Sequence, residues 1–161
     1  MHELKTSVTI PLPIEAVFSF FADASNLERI TPPELRFRIL TPLPLQMRRG
    51  TLIDYRLRLF GVPIFWKTRI SVWEPPFRFV DEQLSGPYRT WIHQHLFTEA
   101  GGSTLMEDLV HYRLPLQPLG ELAHPLVKLE LDHIFMFRRR SILKILKSAA
   151  GRRDETPSTT P

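Results

Sequence analysis

The positions of the hydrophobic residues predict a strand and two short helices at the start of the chain. Residues 3–10 alternate between apolar and polar side chains, which is the period of a β-strand. After Pro13, apolar side chains recur at helical spacing as far as residue 21, and proline suits the first turn of a helix. Ser25 can cap a second short helix, which ends before Pro32 because proline cannot continue it.

A period of two then continues for about 80 residues and predicts six more strands. Their ranges are 35–41, 51–59, 64–73, 77–84, 88–98 and 103–114. Most of the connections are short and contain glycine or proline, so neighbouring strands should pair in antiparallel fashion.

The last hydrophobic pattern is that of a long helix, predicted from Pro125 to Lys147. Val127, Leu131 and Ile134 belong to an apolar stripe at spacings of three, four and seven residues. At about 1.5 Å per residue this helix would span roughly 33 Å, enough to lie across a sheet. Residues 148–161 are polar and are expected to form a disordered tail, which leaves one ligand-binding domain over residues 1–147.

This order of elements resembles the START-like superfamily, also called SRPBCC, which includes polyketide cyclase/dehydrase-like and coenzyme Q-binding-like proteins. The opening "SVTIPLPIEAVFSFFADASNLERITPPELRFRI" is similar to the family's usual strand, proline-led helix and Thr-Pro step. The stretches "DEQLSGPYRTWIHQHLF" and "GGSTLMEDLVHYRLP" are similar to a bacterial branch, some members of which are fused to epimerase-like proteins.

The resemblance implies an α+β helix-grip fold. In that fold a seven-stranded curved antiparallel sheet wraps around the long C-terminal helix, and two short helices lie between strands 1 and 2. It also implies a cavity between sheet and helix. The implied ligand is a hydrophobic or amphipathic small molecule, such as a lipid, a quinone, or a polyketide-like or aromatic compound.

Composition excludes some chemistry and suggests a location. The 161 residues include no cysteine, which excludes disulfides, cysteine nucleophiles and zinc–cysteine sites. The N-terminus has no apolar signal core, and the uninterrupted apolar runs are too short to cross a bilayer. We therefore expect a cytoplasmic protein.

The net charge of +4 owes much to cations near the C-terminus, among them Arg138, Arg139, Arg140, Lys144 and Lys147. One interpretation is a transient contact with an anionic membrane. The alternative is a solvated helix end whose cations suit the negative pole of the helix. No nucleic-acid partner is expected, because the stretch lacks exposed aromatics. The sequence leaves the oligomeric state open.

The alternation also predicts which strand residues face the cavity. Val72 is placed inward with the apolar residues of its strand. The predicted apolar walls are Phe37, Tyr55, Trp66, Phe79, Trp91, Phe97, Val110 and Tyr112 from the sheet, with Leu131, Ile134 and Phe135 from the helix. The same alternation brings five polar residues inward: Asp81, Gln83, His93, His95 and Asp108. Buried polar groups need partners, so we expect His–Asp pairs across neighbouring strands, and Arg138 within reach of a carboxylate.

His93 and His95 raise the question of a metal. They lie two residues apart on one strand, so their side chains point the same way about 7 Å apart. Two such histidines and a carboxylate can bind zinc. The sequence does not fix the third ligand and the resemblance implies no metal, so we assign no metal and no cofactor.

Three further hypotheses remain for this cluster. The favoured one is a non-enzymatic carrier, whose polar residues orient the head group of the ligand. The second is an enzyme, in which His93 or His95, oriented by Asp81 or Asp108, catalyses a cyclisation or dehydration with Tyr112 as proton donor. The third is a satisfied polar network in the core without any ligand.

Overall fold

Seven strands form one antiparallel sheet in a computed structural model of the protein, which describes residues 1–116 and 118–154. The strands are β1 (His2–Ile10), β2 (Arg38–Ile39), β3 (Leu52–Leu59), β4 (Val62–Glu74), β5 (Arg78–Ser85), β6 (Thr90–Ala100) and β7 (Ser103–Arg113). Their order across the sheet is β1-β7-β6-β5-β4-β3-β2. Every neighbouring pair is antiparallel, so this part of the prediction is confirmed.

The helices complete an α+β helix-grip fold, as predicted. Helix α1 (Ile14–Ala22) and a 3-10 helix (Ala24–Ile30) lie between β1 and β2, followed by a 3-10 turn (Pro33–Leu35). A further 3-10 turn (Leu119–Ala123) leads into the long helix α2 (His124–Asp154), which packs on the curved sheet. Among the described residues, no helix is long and apolar enough to cross a membrane.

Two local predictions near the first helices are wrong. The 3-10 helix is capped by Asp23, whose carboxylate accepts a hydrogen bond of 2.9 Å from the backbone N–H of Ser25. Ser25 is therefore inside the helix and not its cap. Strand β2 has two residues instead of the predicted range 35–41, because Leu35 ends a 3-10 turn and Arg36 adopts a left-handed conformation with φ of 45°.

Helix α2 begins one residue before Pro125 and runs to Asp154, beyond the predicted end at Lys147. Alanine and arginine are strong helix formers, so residues 148–154 have a composition that continues a helix. Residues 155–161 of the predicted tail lie outside the described residues. The division into a domain over 1–147 and a tail over 148–161 stays a prediction.

A β-bulge in β4 changes which side chains face inward. Ile70 pairs with Asp81 and Val72 pairs with Val80, so Ser71 is an extra residue in β4. Beyond the bulge, Trp73 takes the inward position, with its ring centroid 5.2 Å from that of Phe18. The prediction that Val72 faces inward is wrong, because a bulge shifts the alternation by one residue.

The buried side chains form two clusters under α2. The first core cluster contains Phe18, Phe97 and Met106 and receives Ile142 and Leu146 from α2. The second core cluster lies nearer the start of α2; its members include Leu57, Trp66, Trp91, Val110, Tyr112, Leu131 and Phe135. Helix α2 therefore anchors to the sheet at two separate places.

The bulge can be tested by comparing two neighbouring substitutions. Trp73→Ala should lower the free energy of unfolding by about 2–3 kcal/mol, somewhat less than a fully buried tryptophan, because Trp73 is half-buried. Val72→Ala on the opposite face should lower it by less than about 1 kcal/mol. Urea denaturation followed by circular dichroism measures both. A larger loss for Val72→Ala than for Trp73→Ala would contradict the assignment.

Candidate functional site

A cavity of about 170 Å³ lies between the inner face of the sheet, α2 and the 3-10 helix after α1. Eight of the predicted apolar wall residues line it: Phe37, Tyr55, Trp66, Phe79, Trp91, Leu131, Ile134 and Phe135. Three of the predicted polar residues line it as well: Asp81, His93 and His95. That these residues contact a ligand stays a prediction.

The other predicted wall residues face inward but do not line the cavity. Phe97 packs in the first core cluster, with its ring centroid 5.3 Å from that of Phe18. Val110 is fully buried in the second core cluster. The hydroxyl of Tyr112 hydrogen-bonds to Nε2 of His124 at 3.1 Å, which places it at the start of α2 and away from a role as a proton donor in the cavity.

Gln83 and Asp108 also lie outside the cavity wall. The side-chain amide of Gln83 donates to the carbonyl of Tyr88 at 2.6 Å and its oxygen accepts from the N–H of Tyr88 at 3.3 Å. Gln83 therefore braces the turn between β5 and β6. Asp108 is 3% exposed and lies behind the two histidines.

Several lining residues were not predicted. Met47, Asn26, Leu27 and Thr31 lie in segments without a period of two, so alternation gave no signal for them. Tyr88 precedes β6, so the alternation of side chains along that strand does not predict that Tyr88 faces the cavity. Arg138 also lines the cavity; the sequence placed it within reach of an inward carboxylate but did not include it in the predicted wall.

One part of the cavity wall is a box of aromatic rings. Tyr55 stacks on Trp66 at a centroid distance of 5.8 Å, and Trp91 meets Trp66 edge to face at 5.3 Å. Tyr88 approaches Trp91 at 4.8 Å, and Phe37 approaches Tyr55 at 5.0 Å. Such contacts fix the rings against one another, so this wall is rigid and apolar.

Strand register brings the four residues Asp81, His93, His95 and Asp108 together, and they are called the polar cluster below. Strand β6 lies between β5 and β7, so His93 is opposite Asp81 on one side and His95 is opposite Asp108 on the other. His93 donates from Nε2 to Oδ1 of Asp108 at 2.8 Å. His95 donates from Nε2 to Oδ2 of Asp81 at 3.0 Å.

The two imidazole rings are closer than the strand spacing suggested. Their centroids are 3.8 Å apart, because the rings lean toward each other. Nδ1 of His93 is 3.6 Å from Oδ2 of Asp81. Nδ1 of His95 is 2.9 Å from Oδ1 of Asp108, yet it is buried and lacks the alignment of a hydrogen bond. The predicted His–Asp pairs are present, but one nitrogen is left poorly satisfied.

Burial and neighbouring charges set the protonation of the polar cluster. Burial alone would raise the pKa of Asp108, but the charge of Arg138, the hydrogen bond from His93 and the close ring of His95 hold that pKa well below its usual value. Burial also acts to raise the pKa of Asp81, and the two histidines outweigh it and lower the pKa. Both carboxylates are therefore ionised at neutral pH.

The two histidines differ in their protonation. Burial and the charge of His95 lower the pKa of His93, so its neutral form is favoured. Burial opposes the charged form of His95 as well, but the close carboxylate of Asp108 and the hydrogen bond to Asp81 outweigh it and raise the pKa. The polar cluster thus holds a neutral imidazole beside a charged one.

Arg138 reaches this region without pairing to a carboxylate. Its guanidinium carbon is 5.9 Å from the ring centroids of both Phe21 and Phe135, as in a cation–π contact. Its Nε is buried and has no hydrogen-bond partner among the described residues, and the same holds for Nε1 of Trp66. Two donors on the cavity wall are therefore unpaired.

The position of Arg138 corrects the predicted basic surface. Arg138 lines the cavity and is half-buried, so it does not belong to a membrane-facing patch. Arg139, Arg140, Lys144 and Lys147 are exposed on α2. Contact with an anionic membrane through these four residues stays a prediction.

The described residues also contain a set of potential metal ligands. Asp81, His93 and His95 each offer one ligand atom, and these atoms lie within 4.8 Å of one another. The sequence left a third potential ligand open, and Asp81, which lies opposite His93, is the carboxylate in this set.

The energetic role of the polar cluster can be tested on β7. Asp108→Asn removes a buried charge that balances His95 and Arg138, so the free energy of unfolding should fall by about 2–4 kcal/mol. The control is Glu107→Gln on the opposite face, where the partly exposed pair with Lys5 at 3.0 Å should contribute less than about 1 kcal/mol. Urea denaturation measures both, and equal losses would refute the assigned role.

Solved structures share the fold at low sequence identity. A START superfamily protein from Mycobacterium smegmatis superposes with a TM-score of 0.68 at 14% identity, over 90% of this chain and 99% of that one. The major latex-like protein 151 of ginseng, Panax ginseng, gives 0.62 at 11% identity, over 90% and 97%. At these identities the likeness shows the fold alone.

A longer protein contains a similar region. The nucleoside-diphosphate sugar epimerase from Corynebacterium glutamicum has 27% identity and a TM-score of 0.64, over 89% of this chain but 29% of that one. The chain is thus similar to one part of that protein.

Sequence families give the final assignment. No curated protein matches the chain. The family described as "Polyketide cyclase / dehydrase and lipid transport" matches residues 10–135, which is well over half of the 161 residues and includes the whole polar cluster. The chain therefore belongs to the polyketide cyclase/dehydrase and lipid transport family.

Proposed function

We propose that the protein binds and carries a hydrophobic or amphipathic small molecule in the cavity between sheet and α2. The observation that supports this best is the pair of unpaired donors, Nε of Arg138 and Nε1 of Trp66, among the residues that line the cavity. A buried donor without a partner is unfavourable by roughly 1–3 kcal/mol. A ligand with oxygen acceptors would satisfy both.

The size of the cavity limits what enters it without rearrangement. A cavity of roughly 150 Å³ lined by apolar side chains holds a benzene molecule. The present volume of about 170 Å³ therefore suits one ring with small substituents. A larger ligand requires side chains of the wall to move.

The wall also orients the ligand. The aromatic box of Phe37, Tyr55, Trp66 and Trp91 offers an apolar surface. The polar cluster and Arg138 offer charged and hydrogen-bonding groups. An amphipathic molecule would place its apolar part in the box and its acceptor group near Arg138. A lipid head group, a quinone carbonyl and a polyketide-like enolate all have the required oxygens.

A second candidate function is acid–base catalysis of a cyclisation or dehydration. The observation that favours it is the pair His93–Asp108, in which a neutral ring at the cavity wall is backed by a buried carboxylate at 2.8 Å. A base held by an orienting carboxylate is the arrangement used to move a proton. His95 and Asp81 could serve as the charged counterpart. For either function, we propose that the protein acts in the cytoplasm.

Blocking the cavity should abolish binding. Ile134→Trp on α2 adds a large side chain to the wall, so binding of a one-ring aromatic anion such as benzoate, measured by calorimetry, should weaken at least about tenfold. Met136→Trp on the exposed face of the same helix is the control and should bind as the wild type does. Native mass spectrometry of the wild type should in addition detect a copurified small molecule. Equal probe affinity of the two variants would argue against the cavity.

The role of Arg138 can be tested with the same anionic probe. Arg138→Gln removes a half-buried cation from the wall, so the probe should bind about tenfold more weakly, as for a lost hydrogen bond to a charged group. Arg139→Gln removes an exposed cation at the next position and should change the affinity less than about twofold. If the two variants bind alike, Arg138 does not orient the ligand.

The enzymatic candidate predicts a different result for His93. With the copurified molecule as substrate, mass spectrometry should detect loss of water or ring closure. His93→Gln should then lower kcat by about 10²–10⁴-fold while affinity changes little. A carrier would show no turnover, and His93→Gln would change affinity only.

A further inference from the structure

We infer that Asp81, His93 and His95 form a binding site for one divalent transition-metal ion, with Zn²⁺ as the ion that the geometry fits. The site is formed by strand register, which sets Asp81 of β5 opposite His93 of β6. His95 lies two residues further along β6 on the same face. The inference does not depend on the proposed ligand, because all three groups belong to the protein.

Two of the three distances between the ligand atoms are close to those of tetrahedral coordination. Zinc binds nitrogen and oxygen ligands at about 2.0–2.2 Å, so neighbouring ligand atoms in a tetrahedral site are about 3.3 Å apart. Oδ2 of Asp81 is 3.0 Å from Nε2 of His95 and 3.6 Å from Nδ1 of His93. One ligand atom from each residue lies within 4.8 Å of the others, so small side-chain rotations suffice to place an ion between them.

The ring nitrogens are divided between two carboxylates in a way that suits a metal. In each imidazole, one nitrogen lies near Asp81 and the other near Asp108. His93 already donates from Nε2 to Asp108 at 2.8 Å, which leaves Nδ1 available on the side of Asp81. Histidines that bind metals commonly donate their second N–H to a carboxylate, which fixes the ring and its tautomer. Asp108 is therefore the positioning residue of the site.

The network without an ion is incompletely satisfied. Nδ1 of His95 is buried and contacts Oδ1 of Asp108 at 2.9 Å without hydrogen-bond alignment. A ring reoriented by a metal on Nε2 could donate from Nδ1 to Asp108. This observation distinguishes the site from a polar network that only satisfies itself.

Charge leaves room for a cation. Asp81 and Asp108 bring two negative charges, and among the described residues Arg138 forms no ion pair with either. A metal on Nε2 of His95 takes the place of the proton that charges this ring, so both carboxylates remain to balance the cation. The guanidinium of Arg138 lies over Phe21 and Phe135 instead. Because Asp81, His93 and His95 all line the cavity, a fourth coordination position faces its interior. Two histidines, one carboxylate and an open position are a ligand set typical of catalytic zinc.

The experiment uses the full chain without an affinity tag, stripped with a chelator, loaded with Zn²⁺ and passed through gel filtration. Mass spectrometry of the metal content should find one Zn²⁺ per chain. Substitution of Zn²⁺ by Co²⁺ should give the intense visible absorption of tetrahedral coordination. Wild-type protein that retains less than about a tenth of an equivalent of Zn²⁺, or a weak octahedral Co²⁺ spectrum, would overturn the inference.

Variants assign the bound ion to these residues. Asp81→Asn and His95→Gln should each weaken Zn²⁺ affinity at least about 100-fold. Asp108→Asn should weaken it about 10- to 100-fold, because the imidazole rings lose the carboxylate that orients them. The controls are His111→Gln and His133→Gln, which remove surface histidines paired with Glu3 at 3.2 Å and with Glu34 at 2.7 Å. Loss of Zn²⁺ in a control variant, or its retention in Asp81→Asn, would place the ion elsewhere. Should Asp81→Asn fail to fold, the Co²⁺ spectrum of the wild type still decides.

Discussion

Two carboxylates and two imidazoles buried on one face of a sheet place the strongest constraint on this structure. Each of these groups is unfavourable in the interior unless a partner of suitable charge lies beside it. Only the order β5-β6-β7 supplies those partners, because β6 carries both histidines and each neighbour carries one aspartate. A slip of one residue in either pairing would turn the aspartate to the other face. The polar cluster therefore favours one register of β6 with β5 and β7, in addition to forming the candidate site.

The cavity is a consequence of how α2 meets the sheet. The helix is fixed by Leu131 and Phe135 in the second core cluster and by Ile142 and Leu146 in the first. Arg138 lies between these contacts, where a long charged side chain replaces an apolar one. The helix is thus held at both ends of the space, and the region in between has large flat rings and charged groups that do not pack closely enough to fill it.

The alternation of apolar and polar residues was enough to predict seven strands, their antiparallel pairing and the face to which Asp81, His93 and His95 belong. It was not enough to say which inward residues reach the cavity. A strand face is longer than the cavity, so Phe97 and Tyr112 face inward but pack beyond its two ends. The bulge at Ser71 depends on pairing with β5, and Met47 lies in an irregular segment, so neither follows from a local period.

The two-point attachment of α2 has a consequence for exchange of cavity contents with solvent. Release of the N-terminal half of the helix breaks the contacts of Leu131 and Phe135 and the hydrogen bond between His124 and Tyr112, while Ile142 and Leu146 keep the C-terminal half in place. Such partial opening requires less free energy than global unfolding. The cavity can therefore open and close while the sheet stays intact.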